Sequence, residues 1–148
     1  MRELIITRRK TSVACLGKSK VYIEDPECSD LVINNTPCRF LGTLKNGETQ
    51  YFEISEDEAK VFVIFDKASK SYSNDYFNIP SGRDDVELTG RCHFNPLTGN
   101  AFRFDFVTDP DIIANRRRSM LKGSLVTLGS LTVGFAIGFA IVYWLVLA

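Results

Sequence analysis

Residues 101–148 read "AFRFDFVTDPDIIANRRRSMLKGSLVTLGSLTVGFAIGFAIVYWLVLA". Two periodicities meet in this stretch. At its start, Phe102, Phe104 and Phe106 fall on one side of an extended chain, and Arg103 and Asp105 on the other. That period of two marks a half-buried strand. At its end, the 26 residues from Gly123 to Ala148 include no charged side chain. A helix of about 20 apolar residues crosses the hydrocarbon core of a bilayer. A buried core helix of this length would normally carry a polar face, whereas here only Ser124, Thr127, Ser130 and Thr132 bear aliphatic hydroxyls. Hydroxyls of this kind can bond back to the carbonyl one turn earlier. The expectation is a β domain over 1–108, a basic juxtamembrane segment over 109–122 and a transmembrane helix over 123–148.

The join between them reads "DPDIIANRRRSMLK". Asp109 is a candidate N-cap, and Pro110 suits the first helical position, where its missing N–H is harmless. Asp111 adds favourable charge to the first turn. The sequence therefore predicts a nearly continuous helix from Pro110 to Ala148.

Charge gives the orientation. All 18 acidic residues lie at or before Asp111, with 14 basic residues before Asn115, leaving that part at −4. Arg116, Arg117, Arg118 and Lys122 stand beside the span. Basic residues next to a span stay on the cytoplasmic side, so these four are the membrane-orienting residues and the domain is expected to be cytoplasmic. Tyr143 and Trp144 sit near the far end, where amphipathic rings settle at the headgroups. The opening "MRELIITRRK" has too short an apolar stretch for a signal peptide. The expected layout is single-pass and tail-anchored. Ser130, Gly134 and Gly138 recur every four residues and form a helix-packing stripe with a G-x-x-x-G match.

The rest of the body reads as strands. "KVYIED" sets Val21 and Ile23 against Lys20, Tyr22 and Glu24. "DVELTGRCHF" sets Val86, Leu88, Cys92 and Phe94 against Glu87, Thr89, Arg91 and His93. "VFVIF", residues 61–65, is apolar throughout and fits a central strand covered on both sides. Asn46-Gly47 predicts a hairpin pairing "CRFLGTL" with "TQYFEIS". Other turn signals fall at Asp25-Pro26, Asn34-Asn35, Ile79-Pro80-Ser81-Gly82 and Asn95-Pro96. Seven or eight short strands without an amphipathic helix predict an antiparallel β-sandwich.

The group Val21, Ile23, Gly42, Leu44, Asn46, Gly47, Phe52 and Ile54 resembles the PEGA-type small β-sandwich repeats and similar bacterial domains, over about residues 18–54. The Pro-Glu-Gly-Ala turn of that family is missing, with "SEDEAK" near its place. "PECSDLVINNTPC" is a longer insertion between the first two strands. The resemblance implies a compact binding or scaffold domain and brings no catalytic residues; the expected location is a bacterial plasma membrane.

Chemistry-bearing constellations are sparse. Cys15, Cys28, Cys38 and Cys92 include no C-x-x-C pair and are expected to be structural thiols in the cytosol. His93 is the sole histidine and lies on the polar face of its strand. The acidic runs Glu56-Asp57-Glu58 and Asp84-Asp85 lack the alternating oxygens of a calcium loop. Asn34-Asn35-Thr36 formally matches a glycosylation acceptor, with Pro37 following. Arg8, Arg9 and Lys10 read as a solvated strand end. A mildly acidic body argues against nucleic-acid binding. No catalytic residue, metal site, cofactor or small-molecule substrate is expected. Expected partners are membrane lipids and, through the span, a second copy or another membrane protein. Two functions fit: a membrane-tethered interaction or scaffold module, and an accessory subunit of a transporter or envelope assembly.

Overall fold

The computed structural model describes residues 1–13, 16–28, 30–65, 75–95, 99–107 and 109–147. Among them are nine strands and one helix. In chain order the elements are β1 (Arg2–Arg8), β2 (Ser19–Glu24), β3 (Leu31–Ile33), β4 (Thr36–Leu44), β5 (Thr49–Ile54), β6 (Ala59–Ile64), β7 (Tyr76–Ile79), β8 (Val86–Asn95), β9 (Gly99–Phe104) and α1 (Pro110–Leu147). The strands form a four-stranded sheet, β5-β1-β8-β9, and a five-stranded sheet, β3-β4-β2-β6-β7.

The two sheets share one core. Leu4 and Ile6 of β1, Leu88 and Cys92 of β8 and Phe102 and Phe104 of β9 meet Val21 and Ile23 of β2 and Val61 and Val63 of β6. Val21, Ile23, Leu88, Cys92, Phe102 and Phe104 are alternating inward positions read from the sequence, Leu4 and Ile6 alternate in the same way, and stacked sheets of this kind bury such positions between the layers. Phe102 and Phe104 pack edge-to-face at 5.3 Å, a favoured aromatic arrangement. Strand β6 is covered on both faces, as its unbroken apolar run predicts. Val61 and Val63 point into this core, while Phe62 and Ile64 join Tyr22, Ile33 and Cys38 in a second cluster.

That second cluster corrects the reading of Tyr22, which is buried rather than on a polar face. The five-stranded sheet is apolar on both sides, so period-two alternation in β2 does not separate inside from outside. Phe106 is 77% exposed and Phe94 64% exposed, against the expectation that both face the core. Phe106 fails because β9 ends at Phe104.

The Asn46-Gly47 hairpin is also corrected. β4 pairs with β2 and β3, whereas β5 pairs with β1. The turn therefore carries the chain from one sheet to the other. Gly47 takes φ +80°, and the Glu48 N–H donates to the Lys45 carbonyl at 3.2 Å. Asn46 contributes its side chain instead of a left-handed backbone: its amide donates to the Thr11 carbonyl at 2.9 Å, and its carbonyl accepts from the Thr11 N–H at 3.0 Å. The two-residue hairpin of mirror-image type lies at Asn34-Asn35, with φ of 51° and 61°, and joins β3 to β4. Inside β4, the partner of Val21 is Gly42 and that of Tyr22 is Phe40, so Leu41 is an extra, bulged residue.

The sandwich is mixed rather than wholly antiparallel. β1 and β8 are parallel, from Leu4↔Val86 to Arg8↔Gly90. A parallel pair needs a crossover, and here the whole five-stranded sheet lies between the two strands in sequence. Arg8, expected in solvent, is fully buried. It donates to the Gly17 and Leu44 carbonyls at 2.7 and 3.2 Å, beneath the Phe65 ring. Arg9 pairs with Asp105 at 3.0 Å.

Candidate functional site

The helix begins where the sequence places it. Asp109 caps it: its Oδ1 accepts the Asp111 N–H at 2.9 Å, and its carbonyl accepts the Ile113 N–H at 3.1 Å. The other Asp109 oxygen accepts from the Tyr76 hydroxyl and the Asn78 amide at 3.2 and 3.4 Å, so the cap is tied to β7. Ile112, one turn on, is 1% exposed.

Arg116 closes this junction. It grips Asp75 bidentately, Nε to Oδ2 at 3.0 Å and Nη2 to Oδ1 at 2.7 Å, and also donates to the Phe104 carbonyl at 2.8 Å. The side chains of Arg116 and Asp75 are 20% and 8% exposed. Burial pushes the Asp75 carboxyl above its ordinary range, although the Arg116 hydrogen bonds and charge pull it down. Breaking a pair of this kind strands a charge, while its net contribution when intact is small. It fixes geometry: the guanidinium fork sets the direction in which α1 leaves the domain.

Arg116 is thus held by Asp75 rather than free in solvent. A basic triplet beside a span signals headgroups in sequence, and only the fold supplies the carboxylate that takes one member away. Arg117, Arg118 and Lys122 are exposed and remain available.

Beyond Lys122, α1 is long and apolar enough to cross a membrane. Its side chains are uncovered by the domain, from Leu125 at 68% to Leu145 at 65% exposure. The hydroxyls are satisfied within the helix. Thr127 donates to the Gly123 carbonyl at 2.9 Å, Ser130 to Thr127 at 2.9 Å, and Thr132 to Leu128 and Gly129 at 3.0 and 2.9 Å. Lys122 and Tyr143 are separated by roughly 32 Å at 1.5 Å per residue, close to the hydrocarbon thickness of a bilayer. Tyr143 and Trp144 are both exposed.

The structure brings Ser130, Gly134 and Gly138 together on one groove of about 570 Å³, walled by Phe135 and Phe139. A side chain at Gly134 or Gly138 would meet nothing within 4 Å, so no contact inside the chain requires glycine there.

A second groove was not foreseen. It lies between the outer faces of β8 and β9 and the turns of α1 around Gly123, with a volume of about 490 Å³. His93 and Arg103 reach it from the sheet. Burial is the main cause that pushes the His93 imidazole below 6.5, followed by the positive charges of Arg103, Arg91 and Arg116. The sequence marked His93 as polar-faced; its proximity to residues thirty positions away needed the fold. Among the described residues no group of three His, Cys, Asp or Glu side chains is arranged to hold a metal ion. Cys38 and Cys92 are buried free thiols, with Cys38 pushed up to about 11 by burial. Cys15 lies outside the described residues.

No protein-family model matches the chain, and no curated protein matches it.

Proposed function

We propose that the protein is a single-pass membrane protein whose β domain is held against the cytoplasmic face of a bacterial plasma membrane as an interaction or scaffold module. The observation that carries this reading is the continuity of α1 from the buried Ile112 and the Arg116–Asp75 grip into an uncovered apolar segment. A surface of exposed Leu, Val, Ile and Phe on that scale is unsuited to water. Arg117, Arg118 and Lys122 orient the domain toward the cytoplasm. Confinement beside the bilayer raises the domain's effective concentration for partners there.

Orientation is tested with Cys28, the partly exposed thiol. An impermeant thiol reagent on intact cells leaves Cys28 unlabelled, and permeabilisation exposes it. Labelling of intact cells would reverse the topology.

A second reading is favoured by the Ser130–Gly134–Gly138 groove: an accessory subunit of a transporter or envelope assembly, packed through α1. Photo-crosslinkers separate the two. One at Tyr51, 63% exposed on β5, captures a partner of the module. One at Gly134 captures a neighbouring span. Crosslinks from Gly134 alone would replace the first reading by the second.

A further inference from the structure

The groove between the β8–β9 face and α1 lies at the point where the charged part of the helix ends. Lys122 is the last charged side chain, and Gly123, Thr127 and Leu128 form the helical wall. His93, Phe94 and Arg103 form the wall from the sheet. If α1 spans a bilayer, as proposed above, this is headgroup depth. The lining mixes a guanidinium and an imidazole from the sheet with the apolar side chains Phe94, Met120 and Leu128.

The charge is one-sided. Arg91 and Arg103 are directly opposed across β8 and β9, and like charges in that position repel. Arg116 stands close enough to act on both Arg103 and His93. Of the two counter-charges, Asp75 is held by both of its oxygens on Arg116, and Asp105, which also acts on His93, pairs with Arg9 at 3.0 Å. Phe94 is 64% exposed at the rim, as suits an aromatic ring at a membrane interface.

We infer that this groove binds one anionic phospholipid of the surrounding leaflet, with its headgroup phosphate at Arg103 and its acyl chains running down α1 past Leu128. The inference rests on the membrane reading of α1. A phosphodiester would offset the positive charges of Arg103 and Arg116, which act on each other, and charge-assisted bonds to phosphate are the strong kind. Gly123, which has no side chain, is buried where the helix lines the groove. The docked lipid would bridge sheet and helix and so reinforce the junction at Arg116.

The test uses the full chain in mixed micelles holding equal phosphatidylglycerol and phosphatidylcholine, with retained lipid counted by native mass spectrometry. The wild type retains phosphatidylglycerol at one per chain, in preference to phosphatidylcholine. Arg103→Gln removes the charge and lowers retention about tenfold. Thr127→Phe fills the groove without changing charge and lowers it by a similar factor. Arg117→Gln, on the exposed face of α1, lowers it by clearly less than Arg103→Gln does. Circular dichroism establishes that each variant is folded; Thr127→Phe lies on the helix surface and carries the test if Arg103→Gln does not fold. Equal retention in wild type and Thr127→Phe would overturn the site. So would an equal fall in Arg117→Gln and Arg103→Gln, since attraction would then be diffuse. Alkaline extraction of membranes is scored in parallel. A chain that is extracted defeats the anchor reading; one that stays embedded but shows no groove-dependent retention defeats this inference alone.

Discussion

Arg116→Gln removes one partner of a buried pair and leaves the Asp75 carboxylate without its bidentate donor. Loss of one partner from such a pair costs about 3 kcal/mol, the lower end of the usual range, because the Arg116 side chain keeps some exposure. The bond to the Phe104 carbonyl goes as well. With a urea dependence of about 1.5 kcal/mol per molar for a domain of this size, the midpoint falls by about 2 M. The assay is urea unfolding of the full chain in detergent micelles, followed by circular dichroism and by amide exchange of residues 112–118. Exchange there should rise together with the fall in midpoint, because α1 is released from β7 and β9. Asp75→Asn combined with Arg116→Gln removes the stranded charge and should regain part of the loss. An unchanged midpoint and unchanged exchange in Arg116→Gln would refute the reasoning, and Ile112 with the Asp109 cap would then hold the helix by themselves.

Gly134→Ile fills the groove beside Ser130 and Gly138; tail–tail association in a bacterial membrane reporter should be lost while insertion survives, and an equal signal would remove homotypic packing. Asn46→Ala breaks both bonds to Thr11 and should cost about 1–2 kcal/mol in the same urea assay. Cys38, pushed from 9.0 to about 11, should react with a thiol reagent at pH 8 about a hundredfold more slowly than an ordinary thiol, and Cys28 should react before Cys38 and Cys92. His93 sits below 6.5 in the folded chain, so the unfolded chain binds its proton more readily. Stability should therefore fall as pH drops below about 6.5, and His93→Gln should flatten that slope.

Local signals were legible where one element decides its own form. Asp109-Pro110 announces a helix start by a capping carboxylate and a ring that needs no N–H partner, and the helix begins there. Alternation in β9 and the unbroken run in β6 gave the correct inward residues. Failures came where a second layer intervenes. Tyr22 looked solvated because nothing in β2 reports a cluster on the other side of its sheet. Asn46-Gly47 is a good turn, yet turn chemistry does not say which sheet receives the next strand. The parallel partnership of β1 and β8 joins residues some eighty positions apart and has no local signature. For the junction, Arg116 and Asp75 were each visible as charges, but their meeting depends on where β7 lies.

The grip of the domain on the first turns of α1 has a mechanical consequence. A rigid rod held at one end transmits its inclination to whatever is fixed to it. In a bilayer about 32 Å thick, the segment from Lys122 to Tyr143 stands nearly upright; in one about 27 Å thick it must lean by about 30° to stay covered. Without slack at residues 109–116, the β domain leans by the same angle. Loops that faced the water then approach the lipid on one flank and lift away on the other. The thickness of the membrane would select which flank a neighbouring protein can reach.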